Sequence, residues 1–92
     1  MKKDFCGVHG DNIMFEIVDH IGVLSTEQNG WRKELNVVKW NGGESRYDIR
    51  SWSEDHELMT RGITLTPKEF SRLQDMLGIE LLTGGIRKEQ EQ

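Results

Sequence analysis

The sequence predicts one α+β domain, a strongly twisted four-stranded antiparallel meander followed by a single C-terminal helix. Three observations carry this. Runs rich in β-branched and aromatic residues recur at 13–24, 31–40, 45–53 and 61–65. The first three are separated by the turn formers Asn29-Gly30 and Asn41-Gly42-Gly43. The fourth leads straight into Thr66-Pro67-Lys68-Glu69, a helix-start signature. A chain of 92 residues is one domain at most, with a modest core that gains from oligomerisation.

Taken in order, 1–12 reads as a loosely ordered leader, with a short edge strand allowed around Phe5, Cys6 and Val8. The domain proper is expected over 13–83 and a charged, disordered tail over 84–92. The first strand, Ile13 to Leu24, breaks its alternation near Asp19-His20 and Gly22, which predicts a bulge or sharp bend. His20 has no evident partner and reads as a surface strand residue. The second strand separates Trp31, Lys33, Leu35, Val37 and Lys39 from Arg32, Glu34, Asn36, Val38 and Trp40. The third separates Tyr47, Ile49 and Ser51, the expected core face, from Arg46, Asp48, Arg50 and Trp52. In the helix, Thr66 and Glu69 form a capping box around Pro67. Phe70, Leu73, Met76, Leu77 and Leu81 make one apolar stripe, with Gly78 placed to end or bend the helix and Gly84-Gly85 to stop it. One small sheet cannot cover that stripe, so a homodimer through these residues is expected.

The composition narrows the function. A single cysteine leaves no intramolecular disulfide, and Met1-Lys2-Lys3-Asp4 is followed by no apolar run of the signal-peptide kind. No stretch is long and apolar enough to span a membrane, so a cytoplasmic protein is expected. The net charge of −4 argues against a generic basic binder of nucleic acid. The charges are segregated, however. Arg32, Lys33, Lys39, Arg46, Arg50 and Arg61 gather in the strand region, while acid lies in Glu54-Asp55-His56-Glu57 and the tail.

No nucleophile–base motif, phosphate loop or His-Glu-x-x-His is present, so no enzyme, cofactor or small-molecule substrate is expected. Cys6 and His9 stand at metal-ligand spacing, but two ligands do not make a zinc site. Glu54, Asp55 and Glu57 read as a solvated loop. The positive signal is aromatic residues interleaved with cations. Trp40 and Trp52 are out of phase with the apolar residues of their strands and keep company with Lys39, Arg46 and Arg50. Such a face suits stacked bases and held phosphates, the chemistry of single-strand binding.

The residues Asp48-Ile49-Arg50, then an aromatic, then Arg61-Gly62-Ile63-Thr64-Leu65-Thr66-Pro67-Lys68-Glu69-Phe70, resemble the C-terminal domain of the transcriptional coactivator positive cofactor four. Gly30-Trp31-Arg32-Lys33-Glu34-Leu35-Asn36, Trp40-Asn41 and Ser53-x-Asp55-His56-Glu57 resemble its bacterial YdbC-like branch. The likeness covers about Met14 to Gly78. It implies a four-stranded curved antiparallel sheet with a C-terminal helix, dimerised through the helices, that binds single-stranded DNA on curved ridges. By position it makes Arg50 a phosphate-binding arginine, and Arg61 takes the place of a strand-entry lysine. Trp40 stands near the aromatic that ends the second strand, and Lys33 matches an early basic residue. Trp52 holds the place of a tyrosine and Ser53 that of a tryptophan. The expectation is thus a non-enzymatic, homodimeric binder of single-stranded DNA, with RNA left open as ligand, acting in transcription or DNA maintenance. Its contacts would be Arg32, Lys33, Lys39, Trp40, Arg46, Arg50, Trp52 and Arg61. The alternative is a protein-interaction module using the same strand aromatics, or the helix, as anchors.

Overall fold

Five strands follow one another in a single antiparallel sheet of order β1-β2-β3-β4-β5 and lead to one helix. They are β1 (Phe5–His9), β2 (Ile13–Thr26), β3 (Arg32–Trp40), β4 (Ser45–Trp52) and β5 (Ile63–Leu65), followed by α1 (Pro67–Leu82). This computed structural model describes residues 5–9 as backbone, and 13–82 and 84 in full. The side chains of Cys6 and His9, the remainder of the leader and the tail beyond Gly84 lie outside the described residues. The four expected strands are β2 to β5. β1 adds an edge, pairing Phe5 with Ile17 and His9 with Ile13.

The turns use the chemistry of their residues. Asn41 (φ 53) and Gly42 (φ 75) both take positive φ, and Gly43 N donates to Trp40 O at 2.9 Å. That is the positive-φ turn whose twist matches the strands it joins, with one extra residue in the connection because Lys39 pairs with Ser45. Asn29-Gly30, expected to do the same, sits in a wider loop closed by Glu27 N on Trp31 O at 2.7 Å. There the Asn29 side chain accepts from Trp31 N at 3.0 Å. The capping box forms as read: Glu69 N donates to Thr66 Oγ1 at 3.0 Å and Thr66 N to Glu69 Oε1 at 2.8 Å. α1 runs through Gly78 without ending there.

β2 carries the predicted irregularity, with register shifts between Ile17 and Asp19, His20 and Gly22, and Val23 and Ser25. Each extra residue bends the strand and adds twist. The result is a sheet curled hard around one face. Phe15 pairs with Trp40 at one end of β3, and Trp52 pairs with Arg32 at the other. A straight β3 would hold those ends ~26 Å apart, yet the Phe15 and Trp52 rings lie 5.1 Å apart between centroids. The curl brings them together and closes the core Phe15, Ile17, Val38 and Trp52, with Trp40 and Met59 against it.

The curl decides which face is inside, and it is not the face that polarity suggested. Tyr47 and Ile49 are half-buried on the outer, helix-bearing face. Asp48 and Trp52 of the opposite face, with Glu34, Asn36 and Val38 of β3, are the most deeply buried. The reason is that the polar groups satisfy one another inside. His56, at positive φ (61) in the β4–β5 loop, places Nε2 3.0 Å from Glu34 Oε1, and Asn36 Nδ2 donates to the same oxygen at 3.1 Å. His20, expected at the surface without a partner, sets Nδ1 2.7 Å from Asn36 Oδ1. Burial raises the Glu34 pKa, but the hydrogen bonds from His56 and Asn36 and the charge of the two histidines outweigh it and hold the carboxyl below its ordinary value.

The helix is anchored by one stack, Phe70 on Tyr47 with ring centroids 3.8 Å apart and planes 12° from parallel. None of its residues is buried. Leu77 is 54% and Leu81 80% exposed, and Met76, Ile79 and Leu82 are exposed beside them.

Candidate nucleic-acid interface

β3 and β4 present cations on both faces of the sheet and their tryptophans on one. Arg32 and Trp40 share the inner face with Arg46, Arg50 and Trp52, because Arg32 pairs with Trp52, Glu34 with Arg50 and Val38 with Arg46. Lys33 and Lys39 face the other way, toward the helix side, paired with Ser51 and Ser45. Arg61 is exposed in the segment before β5. The structure therefore gathers five of the expected contacts and leaves Lys33 and Lys39 behind the sheet.

Trp52 corrects the expectation placed on it. Its exposure is 0%. The ring is enclosed by Phe15 and by His56, whose centroid lies 5.5 Å away. A ring without free surface cannot stack on a base. It is out of phase with Tyr47 and Ile49 because the curl has made its face the interior.

Trp40 is half-buried at the rim of the same face. Phe15 packs against it at 6.1 Å and 50°. The Arg50 guanidinium carbon lies 4.5 Å from its ring centroid, a cation–π distance.

Arg50 is not a loose cation. Its Nε donates to Asp48 Oδ1 and its Nη2 to Asp48 Oδ2, both at 2.7 Å, a bidentate fork on a carboxylate with 0% exposure. Nη1 donates to Thr60 O at 3.2 Å, and Nη2 lies 3.4 Å from Thr64 Oγ1. Thr64 Oγ1 in turn donates to Asp48 Oδ2 at 2.9 Å. Only 13% of the Arg50 side chain is exposed. The resemblance implies a phosphate role for Arg50; in the structure its charge faces Asp48 and its donors are largely engaged within the chain. Removing either member of such a buried pair strands the other at a cost of about 3–5 kcal/mol.

The remaining cations differ in freedom. Among the described residues Arg46 has a single ion pair at 3.8 Å, to the exposed Glu44. Arg32 Nε lies 3.3 Å from Glu34 Oε2. In the β4–β5 loop, Asp55 is held below its usual pKa first by the Glu57 N–H and then by the Ser53 hydroxyl. Glu54, Asp55 and Glu57 are exposed, as expected of a solvated loop. Among the described residues no three His, Cys, Asp or Glu side chains come together to hold a metal ion. None of the described helices is long and apolar enough to cross a membrane.

Sequence reasoning missed Glu34, His56 and Asp48 as organising residues. His56 and Glu34 are far apart in sequence, and only the curl joins them. Asp48 had a local signal, since residues i and i+2 of a strand share a face and Arg50 stands there.

Two comparisons bear on these elements. A family model described as Transcriptional Coactivator p15 (PC4) matches residues 27–76, which take in β3, β4, β5 and most of α1. An uncharacterized protein of Treponema pallidum (strain Nichols) is 43% identical over 77 residues, 84% of this chain and 91% of that protein.

Proposed function

Because the chain belongs to the transcriptional coactivator p15 (PC4) family, we propose that it binds single-stranded nucleic acid, DNA first, as a homodimer and without enzymatic chemistry. The observation that carries the reading is Trp40, an indole braced by Phe15 and Arg50 at the rim of a curled sheet. Arg46 shares its face one step away along the neighbouring strand. A base stacks on the Trp40 ring while Arg46, Arg61 and Arg32 hold the backbone. Lys33 and Lys39 enter as long-range field from the opposite face, not as partners in the same contacts. Stacking is worth ~1–3 kcal/mol per base and tolerates any sequence.

The dimer follows from α1. An amphipathic helix with no buried residue and with Met76, Leu77 and Leu81 exposed is stabilised by a second copy. Phe70 and Leu73, half-buried, form the inner margin of that contact. Two copies would also set two curled sheets side by side, which lengthens the track for a strand. The role is coactivator-like, in transcription or DNA maintenance, inside the cytoplasm. Titrating a labelled oligo(dT) tests the reading. Wild type should bind with a log–log salt dependence that reflects several phosphates, and Trp40→Ala should weaken binding ~5- to 100-fold. Absence of binding at low salt would remove it and favour a protein partner for the same rim.

A further inference from the structure

We propose that Arg50 serves this interface as a positioning residue, a latch that fixes the Trp40 ring for stacking, and not as a phosphate contact. The inference rests on Trp40 being the stacking residue. Three observations lead to it. Arg50 stands opposite Glu34, well along β3 from Trp40, yet the curl sets its guanidinium 4.5 Å from the Trp40 centroid. The guanidinium plane is fixed from behind by the Asp48 fork, by Thr60 O and by Thr64 Oγ1. The stem is fixed by Gly62, where an added methyl would run into Arg50 Cβ and stand 3.0 Å from Arg50 Nε.

The chemistry follows from that arrangement. A guanidinium that spends its donors on a buried carboxylate has little left for a phosphate, but its π face remains available to an indole. Covering one side of the ring and pinning its angle lowers the entropy that Trp40 loses when a base arrives on the other side. Lysine keeps the charge and loses the planar fork, so it cannot substitute for this function. A phosphate contact, by contrast, is served by lysine as well.

The test is a set of Kd values for oligo(dT) over a range of salt concentrations, with folding checked by circular dichroism. Arg50→Lys and Arg50→Gln should both weaken binding about 5- to 10-fold at unchanged log–log salt slope. In the Trp40→Ala background the same Arg50 substitutions should change affinity less than about twofold, since the ring they position is gone. Recovery of wild-type affinity by Arg50→Lys, with a slope shallower by about 0.7 in Arg50→Gln, identifies a phosphate contact and overturns the proposal. Equal losses with and without Trp40 overturn it too. If Trp40→Ala itself binds as wild type, the stacking reading fails and the latch with it. That outcome is distinct from one in which Trp40 matters and Arg50 acts independently. Should the Arg50 variants not fold, Thr64→Val removes a hydroxyl shared by Asp48 and Arg50 and keeps the branched shape. A weaker Kd at unchanged slope, seen only with Trp40 present, supports the latch, and an unchanged Kd overturns it.

Discussion

Trp52→Ala and Trp52→Phe separate a core residue from a stacking residue. The indole has 0% exposure, with Phe15 5.1 Å and His56 5.5 Å from it between ring centroids. Truncating a buried Trp to Ala costs ~3–5 kcal/mol from lost transfer energy and the cavity left behind. A domain of this length has roughly 5–14 kcal/mol in total at 0.05–0.15 kcal/mol per residue. The Ala variant should therefore be marginal or unfolded. The Phe variant keeps a ring against Phe15 and should lose only about 1–2 kcal/mol. It breaks no hydrogen bond within the described residues, since Trp52 Nε1 has no acceptor among them. Urea unfolding followed by circular dichroism gives both values, and oligo(dT) affinity is then read where each variant is folded. Trp52→Phe should bind within about twofold of wild type. A Phe variant of wild-type stability that binds tenfold more weakly would refute the placement of Trp52 in the core.

Gly62→Ala should destabilise the domain by ~1–3 kcal/mol, because the methyl meets Ile49 O as well as Arg50 Cβ and backbone must move; urea midpoints at matched slope check it. Acid should weaken the fold through Glu34. Its folded pKa lies below the ordinary 4.5, so the unfolded chain binds the proton first and stability falls as pH drops from 4.5 through the folded value. Glu34→Gln should lack that part of the decline in urea midpoints measured against pH. On the proposed dimer, wild type should sediment as a dimer, and Leu77→Glu, on the exposed stripe of α1, should sediment as a folded monomer at the same concentration.

Much of the fold was legible because it is specified locally. Thr66, Pro67 and Glu69 announce α1 within a few residues of one another, and the broken alternation at Asp19-His20 and Gly22 announces the bend in β2. The membership of residues in one face or the other was also legible, including the separation of Lys33 and Lys39 from Trp40. What local pattern does not carry is which face becomes the interior. The face bearing Arg46, Asp48, Arg50 and Trp52 looks solvent-facing until His56 reaches Glu34 and Thr64 reaches Asp48. Those partners are distant in sequence, and they turn isolated charges into satisfied pairs. The same blindness placed Trp52 on a surface, where its residue type suits a nucleic-acid contact but its position, at 0% exposure, is in the core. The loop at Asn29-Gly30 shows a smaller limit. The dipeptide suits a two-residue turn, yet the Asn29 side chain caps Trp31 N and a wider loop forms.

On the proposed reading, a half-buried Trp40 at the rim of this sheet takes an unpaired base. Competition between a single-stranded oligonucleotide and a duplex of matched length, at one salt concentration, tests it most directly. A duplex keeps its base faces inside the stack and offers Trp40 nothing, and α1 sets Glu69, Asp75 and Glu80 against Lys68 and Arg72, a poor helix for a major groove. The single strand should displace the duplex, and Trp40→Ala should narrow the difference. Equal or tighter binding of the duplex, unaffected by Trp40→Ala, would contradict that reading.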